Sequence, residues 1–327
     1  MSKGQNKQRT VGILTSGGDA PGMNAAIRAV TRTALHKGFR VIGVRRGYNG
    51  LMNGDMIELN LRSVSEIIHK GGTMLYTDRC LEFITPEGQA QAAKVCHDKG
   101  IDSLVTIGGD GTFKGARALC NLGISCIGIP GTIDNDIACT DYTIGYDTAL
   151  NTATEMVDKL RDTAQSHNRC SVVEVMGRHN GFLAVNVGLA CGALAVIIPE
   201  QEFDFEKDLV ERMLRTQKTG KRHFIVVVAE GCGGAADLAK RIEERTGIST
   251  RATILGHVQR GGSPSNRDRI MATQMGYHAV KLLEEGKSNR VVAYKHGIIT
   301  DFDITEALNM QKSIDPELLE LTEIVNI

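Results

Sequence analysis

Asp134 and Asp136 stand two residues apart in Pro130-Gly131-Thr132-Ile133-Asp134-Asn135-Asp136, directly after the apolar run Cys126–Ile129. In an extended chain both carboxylates would point the same way, and in a loop they can converge on one site. One could take a proton from an attacking hydroxyl while the other contributes to a metal site; a cluster of Asx turns is the alternative. Asp110 lies between glycines in Gly108-Gly109-Asp110-Gly111-Thr112, with Gly115 three residues on. Its carboxylate suits a Mg2+ carried by nucleotide phosphates, an ion that prefers one or two carboxylates plus phosphate oxygens; the alternative is an ordinary Asp-Gly turn. A third segment, Ser16-Gly17-Gly18-Asp19-Ala20-Pro21-Gly22-Met23-Asn24, could offer backbone N–H groups to a phosphate at a helix N-terminus. It has neither the Walker spacing nor G-x-G-x-x-G, so a dinucleotide-dependent oxidoreductase loses support.

A dispersed cationic set completes the chemistry: Arg169, Arg178, Arg251, and His257-Val258-Gln259-Arg260-Gly261-Gly262. Any one of these could be a surface ion pair. Beside a nucleotide site, as a group, they suit bidentate capture of a phosphorylated sugar. Glu230 ends the run Phe224–Ala229 and could accept hydroxyl groups of that sugar.

These residues need a scaffold. Short β-branched runs (Val11–Thr15, Arg40–Val44, Leu104–Ile107, Cys126–Ile129, Val172–Met176, Ala195–Ile198, Phe224–Ala229, Ala252–Leu255) alternate with helical patterns. The helices are expected at Asn24–His36, Glu87–Lys99, Leu150–Asp162, Phe205–Gln217 and Ala235–Arg245. Continuous apolar strands between helices predict an α/β fold, two doubly wound αβα domains with mostly parallel sheets. Ligands of such sheets sit beyond the carboxyl ends of the strands, which is where the glycine and carboxylate segments fall. No Pro/Ser linker divides the chain, so the boundaries are inferred: 1–144 plus 258–306 for a domain carrying the nucleotide-phosphate loops, 145–257 plus 307–327 for one carrying most of the phosphosugar set.

Lys plus Arg and Asp plus Glu both number 38 among 327 residues, and Trp is absent. A neutral chain with few aromatics has neither the field nor the stacking platforms for nucleic acid. The 8 cysteines include no C-x-x-C pair and read as small buried thiols in a reducing compartment. Met1–Thr10 lacks the apolar stretch of a secretory signal. The uncharged stretch Phe182–Pro199 is read as a buried helix and a core strand, not a membrane span. A cytoplasmic protein is expected.

Taken together, Gly12–Asn24, Ile107–Gly111, Pro130–Asp136, Val172–Arg178 and Leu255–Pro264 closely resemble the bacterial ATP-dependent 6-phosphofructokinases, from about Thr10 to about Thr300. The resemblance implies transfer of the ATP γ-phosphoryl group to the 1-hydroxyl of fructose 6-phosphate. By the same resemblance Gly18, Arg79, Cys80, Gly109, Asp110, Gly111, Thr112 and Gly115 would hold ATP, with Mg2+ on Asp110 and Asp136. Asp134 would be the general base, with Thr132, Arg178 and Gly18 also in the catalytic set. The sugar phosphate would meet Thr132, Ile133, Asp134, Met176, Gly177, Arg178, Glu230, His257, Val258, Gln259 and Arg260. Arg169 and Arg251 would join them from a neighbouring subunit, which implies a homotetramer with shared active sites.

The family's pyrophosphate-dependent members carry Asp where this chain has Gly111 and Lys where it has Gly131, so ATP is the expected donor. Arg28, Arg32, Arg161, Lys221, Arg222 and His223 fit the family's anionic effector pocket. Leu61, Leu194 and Thr219 do not, since they replace an arginine, a metal-facing glutamate and a basic residue; ADP activation is therefore expected to be weak or absent. Two rivals remain. A lipid or NAD kinase would share the Gly108–Thr112 loop without needing the Arg/His set, and a nucleotide sensor would lack a base such as Asp134.

Overall fold

Thr10–Thr15 is buried at every position, as a strand must be when helices cover both faces of its sheet. In the computed structural model, which describes residues 8–325, the chain forms two compact units. The first comprises residues 1–132, 137–147 and 260–312, and the second 133–136, 148–259 and 313–327. The chain thus crosses at 132/133, 136/137, 147/148, 259/260 and 312/313. The expected crossings fell near 144, 257 and 306, and the excursion Ile133–Asp136 was not foreseen.

The first unit opens with β1 (Thr10–Thr15), α1 (Met23–His36), β2 (Arg40–Val44), α2 (Gly47–Asn53) and β3 (Met56–Glu58). It continues through α3 (Pro86–Asp98), β4 (Ser103–Gly108), α4 (Asp110–Asn121) and β5 (Ser125–Pro130). Thr85 starts α3: its hydroxyl accepts the Gly88 amide at 3.1 Å, and Pro86 takes the first helical position, where a missing N–H costs nothing.

The second unit is built from α5 (Tyr146–His167), β6 (Cys170–Val175), α6 (Phe182–Ala190), β7 (Ala195–Ile197), a π-helical stretch (Phe205–Glu211), α7 (Arg212–Lys218), β8 (Phe224–Ala229), α8 (Ala235–Thr246) and β9 (Thr250–Ile254). Its four strands run in the order β7-β8-β6-β9, all parallel. The uncharged stretch from Phe182 is a nine-residue helix followed by a strand, and among the described residues no helix is long and apolar enough to cross a membrane. The chain then returns to the first unit with α9 (Asn266–Glu284), β10 (Arg290–Lys295), β11 (Ile298–Asp303) and α10 (Ile304–Asn309), and ends in α11 (Pro316–Val325).

The first sheet has seven strands in the order β11-β10-β5-β4-β1-β2-β3. Its five central strands are parallel; β3 and β11 are antiparallel edges. Neither β10 nor β11 was expected. They form a hairpin whose two-residue turn, His296 and Gly297, has both φ values positive (49° and 86°), the handedness that matches the twist of paired strands. Two apolar cores hold the units, one around Leu14, Leu51, Leu104, Phe113 and Leu119, the other around Val172, Leu209, Phe224 and Val226. Each such fully buried aliphatic or aromatic side chain contributes roughly 1.5–3 kcal/mol relative to an exposed one.

Candidate active site

β1 is joined to β2 on one side and β4 on the other, so the strand order reverses between β1 and β4. That reversal opens a crevice at the strands' carboxyl ends. Three segments meet there, and backbone bonds fix them. The Ser16 amide donates to the Ile107 carbonyl at 3.0 Å, the Gly131 amide to the Gly108 carbonyl at 3.0 Å, and the Thr112 hydroxyl to the Ser16 carbonyl at 3.0 Å. Gly108 is required by this closeness: a Cβ there would lie 2.3 Å from Thr112 Oγ1 and 2.4 Å from the Ser16 carbonyl oxygen.

Asp110, Gly111 and Thr112 are the first turn of α4 and not a free loop. No side chain caps that helix, and a Cβ on Gly109 or Gly111 would find no atom within 4 Å. A helix N-terminus without a side-chain cap, with open space beside two of its glycines and the positive end of the dipole behind it, suits an anionic phosphate. The Asp110 carboxylate is exposed in the same turn. A single exposed carboxylate at a helix N-terminus suits an ion that arrives with phosphate oxygens of its own.

The segment Thr73–Cys80 is tied to the first loop. Thr15 Oγ1 donates to the Tyr76 carbonyl at 2.8 Å and Thr77 Oγ1 to the Gly17 carbonyl at 2.6 Å; Asn24 Nδ2 donates to the Lys70 and Gly71 carbonyls at 3.1 Å each. Arg79 is exposed on this segment, while Cys80 is half-buried with its thiol 3.7 Å from Met52 Sδ. Arg260 Nη1 donates to the Asp19 carbonyl at 3.1 Å. Gly115 departs from its expected role. A Cβ there would lie 2.6 Å from the Tyr48 ring and 2.8 Å from that of Phe83, so the glycine is needed to let α4 pack on this stacked pair.

Thr132 is buried, and its carbonyl accepts the Thr143 hydroxyl at 2.7 Å. In the second unit Ile133, Asp134 and Asn135 are buried and Asp136 half-buried. Asn135 adopts φ 52°, a left-handed conformation that asparagine tolerates, so the chain turns between the two carboxylates.

The second sheet presents a comparable set of strand ends. The Glu230 amide donates to the Val175 carbonyl at 2.8 Å, and the Leu255 amide to the Glu174 carbonyl at 3.0 Å. Gly177 and Arg178 both have positive φ, 144° and 59°, and the Arg178 amide donates to Glu230 Oε1 at 2.6 Å. His257 and Val258 are exposed on the short 3-10 turn Gly256–Arg260. Gln259 departs from its expected contact with substrate. It is fully buried, and its Oε1 accepts the Met176 amide at 2.9 Å, so it supports Met176 from beneath.

Arg169 and Arg251 are not with the others. Arg169 immediately precedes β6 and Arg251 is the second residue of β9, paired in register with Ser171. They therefore stand at the amino ends of these parallel strands, whereas Met176–Arg178 and Glu230 follow the carboxyl ends of β6 and β8. A six-residue strand separates the two ends by roughly 20 Å.

The expected effector residues divide between the units. Arg28 and Arg32 line a cavity of about 540 Å³ with Thr273, Tyr277 and His278. Burial, and next the neighbouring Arg32 charge, hold the Arg28 guanidinium below its ordinary value. In the second unit the Arg161 guanidinium donates to the Cys191 carbonyl. Burial and the nearby Arg161 charge lower Lys221, and burial together with Lys221 and Arg161 lowers His223. Arg222 is exposed. Leu194 is a core residue at 1% exposure, Leu61 is exposed, and the Thr219 hydroxyl donates to the Thr216 carbonyl at 2.7 Å.

Known proteins resemble this chain over most of its length. Residues 10–283 match the family described as Phosphofructokinase. A protein of Clostridium botulinum strain Hall named ATP-dependent 6-phosphofructokinase is 57% identical over 97% of this chain and 99% of its own, and a Clostridium perfringens protein named ATP-dependent 6-phosphofructokinase 1 is 54% identical over the same shares. The structure of phosphofructokinase from Saccharomyces cerevisiae is 36% identical with a TM-score of 0.89 over 98% of this chain. This chain spans about half the length of that yeast chain, 48%. The pyrophosphate-dependent phosphofructokinase from Marinobacter aquaeolei, 23% identical with a TM-score of 0.86 over 94% of this chain and 86% of its own, shares the fold. With the family match covering most of the chain and the relatives nearly all of it, the chain belongs to the phosphofructokinase family.

Proposed function

We propose that this chain transfers the γ-phosphoryl group of ATP to the 1-hydroxyl of fructose 6-phosphate, giving fructose 1,6-bisphosphate and ADP. One observation carries the reading: Asp134 is a carboxylate held at 6% exposure on the loop that leaves β5, in a chain 57% identical to proteins named for this reaction. The α4 N-terminus, with Gly109, Gly111 and Thr112, receives the nucleotide's phosphates, and Gly18, Arg79 and Cys80 complete that half. Mg2+ held through Asp110, with Asp136 as support, would neutralise charge on the transferred group. Asp134 accepts the proton of the attacking hydroxyl. Thr132 and Arg178 stabilise the equatorial oxygens of the phosphoryl group, where most of the rate enhancement of such reactions arises. Met176, Gly177, Glu230, His257 and Arg260 hold the sugar phosphate.

Arg169 and Arg251 serve a neighbouring subunit's site in a homotetramer; their position at the opposite ends of β6 and β9 from Met176–Arg178 supports this division. ATP and sugar phosphates are cytoplasmic metabolites, and the enzyme works there. The open space beside Gly111 favours ATP over pyrophosphate, since an added carboxylate would repel the nucleotide's α-phosphate. With Leu194 in the core in place of a carboxylate, ADP activates weakly or not at all.

A coupled assay with fructose 6-phosphate, supplied with ATP or pyrophosphate in turn, tests the reading. Turnover with ATP alone is expected, and Asp134→Asn lowers kcat by ~10²–10⁴-fold with an unchanged melting temperature. Near-normal turnover in that variant removes Asp134 from the role of base.

A further inference from the structure

Asp268 is fully buried at the start of α9, three residues after the Ser265 hydroxyl that accepts its amide at 3.2 Å. A carboxylate in a first helical turn ordinarily faces solvent and the helix dipole. This one faces inward. Its Oδ1 accepts two donors, the Tyr142 hydroxyl at 2.6 Å and the Gly145 amide at 2.7 Å. Arg267 lays its guanidinium 4.7 Å from the centre of the Tyr142 ring on the same segment.

The segment so held, Tyr142–Gly145, is the backing of the loop that leaves β5. The Ile144 amide donates to the Pro130 carbonyl at 3.0 Å, Gly131 and Ile144 form an isolated parallel bridge, and the Thr143 hydroxyl donates to the Thr132 carbonyl at 2.7 Å. The other side of the segment is closed by the first loop. A Cβ on Gly145 would lie 2.6 Å from Ala20 Cβ, and one on Gly22 2.6 Å from Ile144 Cγ2. Two hydrogen bonds, one of them part of the Gly131–Ile144 bridge, thus run from Tyr142–Gly145 to Pro130–Thr132, and both ends of the segment are fixed by one carboxylate oxygen. Burying a charge costs free energy that an apolar side chain of the same volume would not, so stability alone is a poor reason for this residue.

We propose that Asp268 is a positioning residue for phosphoryl transfer: through Tyr142 and Gly145 it fixes the Thr132 peptide and side chain where they meet the transferred group. The inference rests on the assignment of Thr132 made above. Asp268 touches no substrate, and its removal changes turnover through Thr132 and leaves nucleotide affinity nearly intact, because the α4 N-terminus is also tied to Ser16, and Ser16 to Ile107, by bonds that do not pass through Pro130–Thr132.

A double-mutant cycle tests this on the full-length enzyme. Asp268→Ala is expected to lower kcat by ~10–100-fold, the scale of a misplaced catalytic group, with the KM for ATP within about threefold of the parent. In a Thr132→Ala background the same change is expected to cost less than about threefold, since the group it positions is already gone. Asp268→Asn keeps an oxygen that can accept both bonds, and recovers at least tenfold of the turnover lost in Asp268→Ala. Tyr142→Phe removes one of the two bonds and follows the same cycle; it carries the test if Asp268→Ala does not fold. Fully additive losses in the cycle, or Asp268→Asn as poor as Asp268→Ala while its melting temperature is kept, overturn the proposal. Normal turnover in Thr132→Ala alone overturns the assignment of Thr132 instead, whatever Asp268 does.

Discussion

The Arg260 guanidinium lies flat against the backbone of Gly18: a Cβ built on Gly18 would stand 2.4 Å from Nη1 and 2.8 Å from Cζ. The obstruction is the far end of a flexible side chain, and Gly18 has no left-handed φ to forbid alanine. Gly18→Ala therefore folds, with a melting temperature within a few degrees of the parent. It displaces Arg260 from the Asp19 carbonyl and raises the KM for the sugar phosphate by ~10-fold, the cost of about one charge-assisted hydrogen bond. Steady-state kinetics with each substrate varied in turn checks this, and an unchanged KM would separate Arg260 from the sugar's phosphate.

Gly111 gives a complementary case, because nothing lies within 4 Å of its would-be Cβ. Gly111→Asp adds a second carboxylate to the first turn of α4 without crowding the protein. The expected result is a KM for ATP raised by at least ~10-fold, from like-charge repulsion at close range, with little change in the KM for fructose 6-phosphate. A nucleotide KM that stays put would mean the phosphates do not approach this turn.

Arg251 and His257 belong to one chain but, in the proposed assembly, to different active sites. Arg251→Ala and His257→Ala are each expected to be nearly inactive at physiological sugar phosphate. Mixed tetramers made by refolding the two together should regain up to about a quarter of wild-type activity, because a statistical share of sites receives an intact residue from each partner. No recovery over the separate variants would place both residues in the same chain's site.

Cys120 is pushed down where burial pushes Cys96, Cys139 and Cys170 up. The Cys126 thiol beside it is the largest influence and outweighs the opposing effect of burial, which leaves Cys120 at about 7. A lowered thiol value means more thiolate at neutral pH, so alkylation of Cys120 by iodoacetamide should rise through a midpoint near pH 7. Cys232, exposed but pushed upward by desolvation and then by Glu200, should still be rising above pH 9. Peptide-resolved labelling between pH 5.5 and 10 reads both curves, and Cys126→Ala should move the Cys120 midpoint upward by at least one unit.

The sheets were legible because their signal is local and strong. Every strand run read from sequence agrees with a strand to within two residues at each end, for runs such as Phe224–Ala229 are apolar at each position. α5 extends well past its expected bounds, since Tyr146–Ala149 and Thr163–His167 lack the apolar period of its middle. The β10–β11 hairpin went unread although Val291–Ala293 is apolar and fully buried, for its turn uses His296 at positive φ where Asn or Asp would have announced it. The three glycine- and carboxylate-bearing loops stood out by composition. What composition hides is direction: Gln259 is buried beneath Met176, and Arg169 and Arg251 stand at the amino ends of β6 and β9 while Met176–Arg178 and Glu230 follow carboxyl ends. Nothing in the sequence around Asp268 distinguishes it from an ordinary first-turn acid; its burial beside Tyr142 does.

The order in which the chain visits its two units has a consequence for how the protein is made. The four-stranded sheet of the second unit is continuous in sequence and complete at Ile254, whereas β10 and β11 of the seven-stranded sheet come only at residues 290–303. As the polypeptide emerges from the ribosome, the unit that begins second can therefore close its sheet first. The exposed flank of β5 waits without its neighbour until some 160 further residues have been translated, a span of roughly 10–30 s at about 5–20 residues per second.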